Sequence, residues 1–317
     1  MSRYVAATAF GGPEGLRLLE EQVAAPGPGQ VLLDVRAAGV NSVDAKMYAD
    51  PSGDPASLPM RLGFEAAGVV AQVADGPDGA VGPAGPVSVG DEVIAFRVSG
   101  AYAERLVVDA SAVVPKPASL DFAQAAGLLL TGATAVHALT AAAVSSGDTV
   151  LVHAASGGVG RMVVQLARLR GAHVVGTAGG DHLAELRALG VRAVEYGDGL
   201  ADRVRAAAPD GVDAALDLVG TDEAVDVSLE LVGDRSRIVS IAAFGRGADG
   251  IVLIGGGPGA DPGTEIRDAA RLELVRAVEE GTLHVLVSAT YPLDDVAKAH
   301  EAIRAGHTRG KIALSTD

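Results

Sequence analysis

The stretch HAASGGVGR, His153–Arg161, lies between an apolar run, TVLVHAA (149–155), and an amphipathic one, GRMVVQLARLRG (160–171). Such a loop has three readings. It can cradle a dinucleotide pyrophosphate, bend into a nucleophile elbow around Ser156, or only turn a strand into a helix. For the first reading, Ala155-x-Gly157-x-x-Gly160 has the spacing of a G-x-G-x-x-G loop with alanine in the lead. The first residue must be small for the turn, Gly157 must let the backbone approach a phosphate, and Gly160 must let the helix pack closely on the strand. Ser156, Gly158 and Val159 complete the loop, and the helix N-terminus offers amide donors and a partial positive charge. For the second reading, Ala154-x-Ser156-x-Gly158 fits an elbow loosely, with Asp217 and His300 downstream in triad order, but Gly160 is then superfluous. The strand-to-helix context favours the cradle.

Outward from the loop, the strand AHVVGTA and the helix DHLAELRALG follow, then the apolar strands VDAALDLVG (212–220), SRIVSIAA (236–243) and GIVLIGG (250–256). Apolar strands separated by amphipathic helices indicate an α/β fold, with a parallel sheet covered on both faces. Residues 119–139 have helical spacing with Ser119 as N-cap candidate. The chain before Pro115 reads instead as short strands and turns, among them QVLLDVRAAGV (30–40), GFEAAGVVAQVA (63–74) and GDEVIAF (90–96). The Gly/Pro-rich segment 75–87 is a surface loop within that β region. After Pro262 come a helix (265–280), a strand, a second helix (294–305) and a final strand, GKIALS.

The 317 residues suggest about two domains. Hydrophobic residues make up 49% and aromatics 3%, so the core is built mainly from Ala, Val, Leu and Ile. A formal charge of −15 repels phosphate backbones and argues against a nucleic-acid partner. With no cysteine, disulfides, zinc ribbons, iron–sulfur clusters and thiol nucleophiles are excluded. The sequence shows no secretory leader and no uninterrupted apolar run of about 18 residues, so no membrane partner and a cytoplasmic location are expected.

Several stretches together carry a resemblance: AFGGPEGLRL (9–18), PGPGQVLLDVRAAGVNSVDAK (26–46), LGFEAAGVV (62–70), LLLTGATAVHAL (128–139), GDTVLVHAASGGVG (147–160) and YPLDDVAKAHEAIRAGHTRGKIAL (291–314). Over nearly its whole length the chain resembles the zinc-free medium-chain dehydrogenases/reductases of the quinone oxidoreductase (zeta-crystallin-like) type. The resemblance implies a discontinuous GroES-like β domain (1–119 and 259–317), an inserted Rossmann domain (120–258) and an active site in the cleft. Zinc-dependent relatives hold a catalytic metal with a cysteine, a histidine and a further ligand. Here Asn41 stands at the cysteine-like position and Gly63-Phe64-Glu65 replaces Gly-His-Glu, so no zinc is expected.

The resemblance also implies roles. Asn41 would meet the nicotinamide ribose or the substrate, or else form an Asx-turn. Lys46 would face the pocket or pair with Asp44, and the Tyr48 hydroxyl is a candidate proton donor. Thr131 would lie near the nicotinamide, or bond back to its helix. Val219, Ala242, Ala243, Phe244, Gly255 and Gly256 would line the nicotinamide side, while Arg309 and Lys311 would reach phosphates or be solvated. His300 reads as surface, and His182 as a contact for the adenine end. Thr177, Gly179 and Gly180 end the second strand without the carboxylate that binds a ribose diol, leaving room for a 2′-phosphate. Tyr196 matches a family tyrosine at that phosphate. These features favour NADPH, with NADH possible.

The expected activity is zinc-independent hydride transfer from NADPH to a conjugated carbonyl: a quinone, an enone or an enoyl group. The alternatives are a nucleotide-binding regulator without turnover and, further off, a serine hydrolase using Ser156. A homodimer is expected through the Rossmann edge strand, because GIVLIGG would otherwise expose an apolar edge.

Overall fold

The computed structural model describes residues 1–74, 79–306 and 308–316. The chain forms two units: Met1–Leu130 with Arg271–Gly281 and Val285–Asp317, and Thr131–Ala270 with Thr282–His284.

In the second unit, apolar strands buried on both faces pair in parallel, as their near-continuous Val/Leu/Ala runs require. The sheet runs Arg192–Glu195, His173–Ala178, Thr149–Val152, Ala214–Asp217, Ile238–Ser240, Val252–Leu253. Numbered along the chain, this is the order 3-2-1-4-5-6 of a doubly wound nucleotide-binding sheet, and HAASGGVGR follows strand 1 at the point where the order reverses. Leu151, Val175, Ala215 and Ile238 close its core with Val204 and Val225.

The last strand, Val252–Leu253, is shorter than GIVLIGG suggests, and a single bridge joins its end to Asp261. Asp261 donates its amide to the Leu253 carbonyl (2.9 Å) and accepts from the Gly255 amide (2.8 Å). This bridge occupies two main-chain groups at the end of the edge on which a two-fold mate is expected.

In the first unit, the eleven-residue strand Gln30–Val40 is central. It pairs antiparallel with Glu65–Val73, Arg105–Asp109 and Lys311–Ser315. Lys311–Ser315 also lies parallel to Val287–Pro292. The late strand therefore inserts beside the segment that leads into Asn41. Of the loop 75–87, residues 75–78 lie outside the described ones, while Val81–Gly82 and Gly85–Pro86 form a small hairpin.

Ser119 is not a helix cap. Asp121 is, accepting from the Gln124 amide (2.7 Å) while the Gln124 side chain accepts from the Asp121 amide (3.2 Å). The segment Phe122–Ala141 is long and apolar enough to cross a membrane by composition, but 72% of its most apolar window is buried inside the protein.

Candidate functional site

The glycine loop forms as its spacing requires. The helix Gly158–Leu169 is capped by Gly157 in extended conformation (φ −72°, ψ 175°), with no side-chain cap and no acidic residue in its first turn. The first amides of a helix have no intrahelical acceptor. Here no cap supplies one, so they are available to the oxygens of an anionic ligand. A Cβ on Gly157 would meet only the Ala154 carbonyl, at 3.4 Å, whereas one on Gly160 would lie 2.2 Å from that oxygen and 2.7 Å from Ala155 Cα. Gly157 therefore keeps an approach open, and Gly160 lets the helix sit against the turn. These residues fit a pyrophosphate.

A buried chain of hydrogen bonds anchors the turn. Ser228 gives its hydroxyl proton to the Ala224 carbonyl (2.7 Å), so His153 Nε2–H must donate to Ser228 Oγ (3.1 Å). His153 Nδ1 is then the acceptor for Thr177 Oγ1 (3.4 Å), which in turn accepts from the Ala154 amide (3.3 Å). Burial pushes the His153 pKa down to about 4, against the pull of Asp217, and the ring stays neutral. Thr177 thus holds the loop through Ala154 and His153. His153 and Ser228 were not singled out from the sequence, where nothing distinguishes them from core residues.

The elbow reading fails on two observations. The strained residue of the turn is Ala154 (φ 55°), whereas an elbow strains its nucleophile. The triad partners are also committed. Asp217 accepts from the Val219 and Gly220 amides (3.0 and 2.8 Å) and from Ser240 Oγ (2.6 Å). His300 is fully buried between two tyrosines, not on the surface.

Other expected cofactor residues are placed differently from one another. Ala242 and Ala243 turn their amides onto Ser240 Oγ (3.1 and 2.9 Å), so those donors are spent. Phe244 packs over Gly257, where a Cβ would meet its ring at 2.4 Å. Gly255 and Gly256 have open space at their Cβ positions, and Val219 is exposed. Thr131 is buried in the helix Leu129–Ala141. Tyr196 is half exposed, His182 ends a short turn at Gly180–His182, and Arg309 is exposed.

In the first unit, Asn41, Glu65 and Lys311 form a buried polar cluster. Lys311 Nζ donates to Asn41 Oδ1 (2.5 Å), the Val40 carbonyl (3.0 Å) and Glu65 Oε1 (3.1 Å). Asn41 Nδ2 donates to the Gly39 carbonyl (3.2 Å) and to Glu65 Oε1 (3.1 Å), and Glu65 Oε2 accepts from the Leu130 amide (2.8 Å). Lys311 therefore neither reaches for phosphate nor is solvated, because its three protons are used internally. Both Asn41 amide protons are used as well, and only an Oδ1 lone pair remains for a ligand hydroxyl. Gly39 permits the cluster: a Cβ there would meet Ala126 O at 2.1 Å and Glu65 Oε1 at 2.5 Å.

Behind Asn41 a second chain runs inward. Asp44 Oδ2 accepts from the Asn41 amide and from the Tyr102 hydroxyl, each at 2.8 Å. His300 Nε2 then donates to Tyr102 Oη (3.3 Å), and its Nδ1 accepts from the Tyr48 hydroxyl (2.7 Å). Burial pushes Asp44 up to about 7, with Tyr102 and the Asn41 amide opposing, and holds His300 down at about 4. Tyr48 is fully buried and its proton is committed to His300, so it is no donor for a substrate. Lys46 is exposed and does not pair with Asp44.

Residues 27–118 match the model of an alcohol dehydrogenase GroES-like domain, and residues 189–314 that of a zinc-binding dehydrogenase. The quinone oxidoreductase of Rattus norvegicus is 31% identical over 322 residues, 96% of this chain and 93% of that one. The chain belongs to the quinone oxidoreductase family of medium-chain dehydrogenases/reductases. The 2-haloacrylate reductase of a Burkholderia species is 34% identical over 336 residues, covering 96% of each chain. The quinone oxidoreductase of Escherichia coli, solved with NADPH, superposes with a TM-score of 0.84 at 26% identity over 99% of this chain and 100% of that one. As a quinone oxidoreductase family member, the chain is an oxidoreductase acting on a small molecule.

Proposed function

We propose that the chain is a zinc-independent, NADPH-dependent reductase of acceptors whose double bond is conjugated to a carbonyl group: quinones, enones or enoyl groups. One observation carries the reading: an uncapped helix N-terminus at Gly157, at the switch point of a 3-2-1-4-5-6 sheet, in a chain of this family. The relatives named for a quinone and for a 2-haloacrylate name acceptors of that chemistry, and a neighbour solved with NADPH supports the cofactor. When bound, the reduced nicotinamide supplies hydride.

The chain's own residues hold and orient. The first-turn amides bind the pyrophosphate, the Ala154–Thr177–His153–Ser228 relay fixes the turn, and Lys311 and Glu65 fix the Asn41 carboxamide so that Oδ1 can accept from a ribose or substrate hydroxyl. The positions at which zinc-dependent relatives carry metal ligands are here Asn41 and the Phe64–Glu65 pair. The Lys311 ammonium already sits on Asn41 Oδ1 and Glu65 Oε1, so the charge a metal would bring is internal. With Tyr48 and Tyr102 committed inward, neither hydroxyl supplies the proton that completes reduction.

NADPH oxidation measured against a panel of quinones, enones and enoyl thioesters tests the reading. Turnover with at least one class, unaffected by a chelator, is expected. Tight NADPH binding without turnover across the panel would instead favour the nucleotide-binding regulator.

A further inference from the structure

The second strand of the nucleotide-binding sheet, His173–Ala178, ends in Gly179 and Gly180, and no carboxylate follows within the strand. In sheets of this kind, an acid about 20 residues beyond the glycines accepts from the 2′-hydroxyl of the adenosine ribose. The third strand, Arg192–Glu195, brings one to the same place. Ala178 and Glu195 are Cα partners in register. A Cβ on Gly180 would lie 3.0 Å from Glu195 Oε1, and one on Gly179 would lie 3.5 Å from the Tyr196 hydroxyl. A carboxylate and a phenol from the neighbouring strand end therefore stand against the two glycines.

The charge of Glu195 is not neutralised. Its side chain is exposed, and among the described residues none pairs with its carboxylate. Arg203, which reaches this strand end, spends its guanidinium on the main-chain carbonyls of Glu195, Asp198 and Gly197 at 2.9, 2.7 and 2.8 Å. Arg187 is turned to the Ala193 carbonyl (3.2 Å), and Arg161 is paired with Glu185 (2.8 Å). Asp181 adds a second exposed carboxylate next to Gly180.

We infer that Glu195 is a specificity-determining residue: it accepts from a ribose 2′-hydroxyl and repels a 2′-phosphate, so that NADPH and NADH bind this chain within about tenfold of each other. The inference rests on the nicotinamide-cofactor reading above and goes beyond it in naming the residue that sets the preference. Like charges a few ångströms apart at a surface repel by about the free energy of a tenfold change in affinity.

The test is titration of NADPH and of NADH by fluorescence and calorimetry against wild type, Glu195→Gln and Glu195→Lys, without substrate. Glu195→Gln is expected to tighten NADPH about tenfold and to loosen NADH two- to fivefold, and Glu195→Lys to widen the gap further. An NADPH-to-NADH affinity ratio unchanged in Glu195→Gln, with both cofactors bound, would overturn the inference and leave the cofactor reading standing. Wild type binding neither cofactor would overturn both.

Discussion

Replacing Gly157 by valine separates the cradle from every other reading of the glycine loop. The backbone there is extended, a conformation valine adopts readily, and the new Cβ would meet only the Ala154 carbonyl at 3.4 Å. The fold should therefore lose only about 1 kcal/mol, since the change swaps one uncapped N-cap residue for a less favoured one. Ligand binding should suffer far more, because the side chain fills the space through which phosphate oxygens reach the first-turn amides. Two charge-assisted hydrogen bonds lost at about 1.5–3 kcal/mol each amount to roughly 3–6 kcal/mol, or about 10²- to 10⁴-fold in Kd. Gly160→Ala should behave in the opposite way. Its Cβ would lie 2.2 Å from a main-chain oxygen, so the turn must shift and the melting temperature should fall. Ser156→Ala should cost at most one hydrogen bond, about 1 kcal/mol. Thermal melts paired with NADPH fluorescence titrations read all three. Normal NADPH binding by Gly157→Val, or loss of turnover by Ser156→Ala with binding intact, would refute the reasoning.

Lys311→Met leaves Glu65 buried without its cation and should destabilise the protein by about 3–5 kcal/mol, while the double variant Lys311→Met/Glu65→Leu should recover much of that; urea unfolding in which the two changes simply add would contradict the pairing. Stability should rise with pH between about 4.5 and 6.5. Burial holds His153 and His300 at about 4, below an unfolded value near 6.5, so the unfolded chain takes up protons first as pH falls, and each costs the fold about 1.4 kcal/mol per pH unit. Asp44, pushed up to about 7, acts oppositely because the native state keeps a proton that the unfolded chain loses, so two histidines outweigh it by about 1.4 kcal/mol per unit. Asp44→Asn should about double the slope, and a flat profile in denaturation midpoints would count against these assignments. Elemental analysis of dialysed protein should find far less than one zinc per chain; stoichiometric zinc would show that Lys311 does not occupy the donors assigned to it.

The glycine loop was legible because its evidence is local. Three small residues at fixed spacing, an apolar strand before and an amphipathic helix after, are all contiguous, and the sheet that holds them repeats the same pattern. The polar cluster was not legible, because Lys311 reaches Asn41 across 270 residues and its role depends on strand pairing that no local pattern encodes. His300 shows the limit of periodicity: it lies on an amphipathic helix, where a histidine reads as polar, yet it faces Tyr48 and Tyr102. Tyr48 was misplaced for the same reason, since sequence proximity to Asn41 does not say which way a side chain on the next turn points. Glu195 escaped notice because the acid of a nucleotide site is sought by counting along the chain from the glycines, and here it arrives from the adjacent strand.

The insertion of Lys311–Ser315 beside Gln30–Val40 sets an order of events for a chain made from its N-terminus. Asn41 and Glu65 are synthesised early, and the strand that carries Glu65 can pair with its neighbours long before residue 311 exists. Until then the Glu65 carboxylate has no ammonium beside it and stays hydrated. The candidate site is thus completed by a strand made long after its first residues, so a nascent chain carries its early half in an open, solvated form and gains the ordered Asn41 only when Lys311–Ser315 closes on Gln30–Val40.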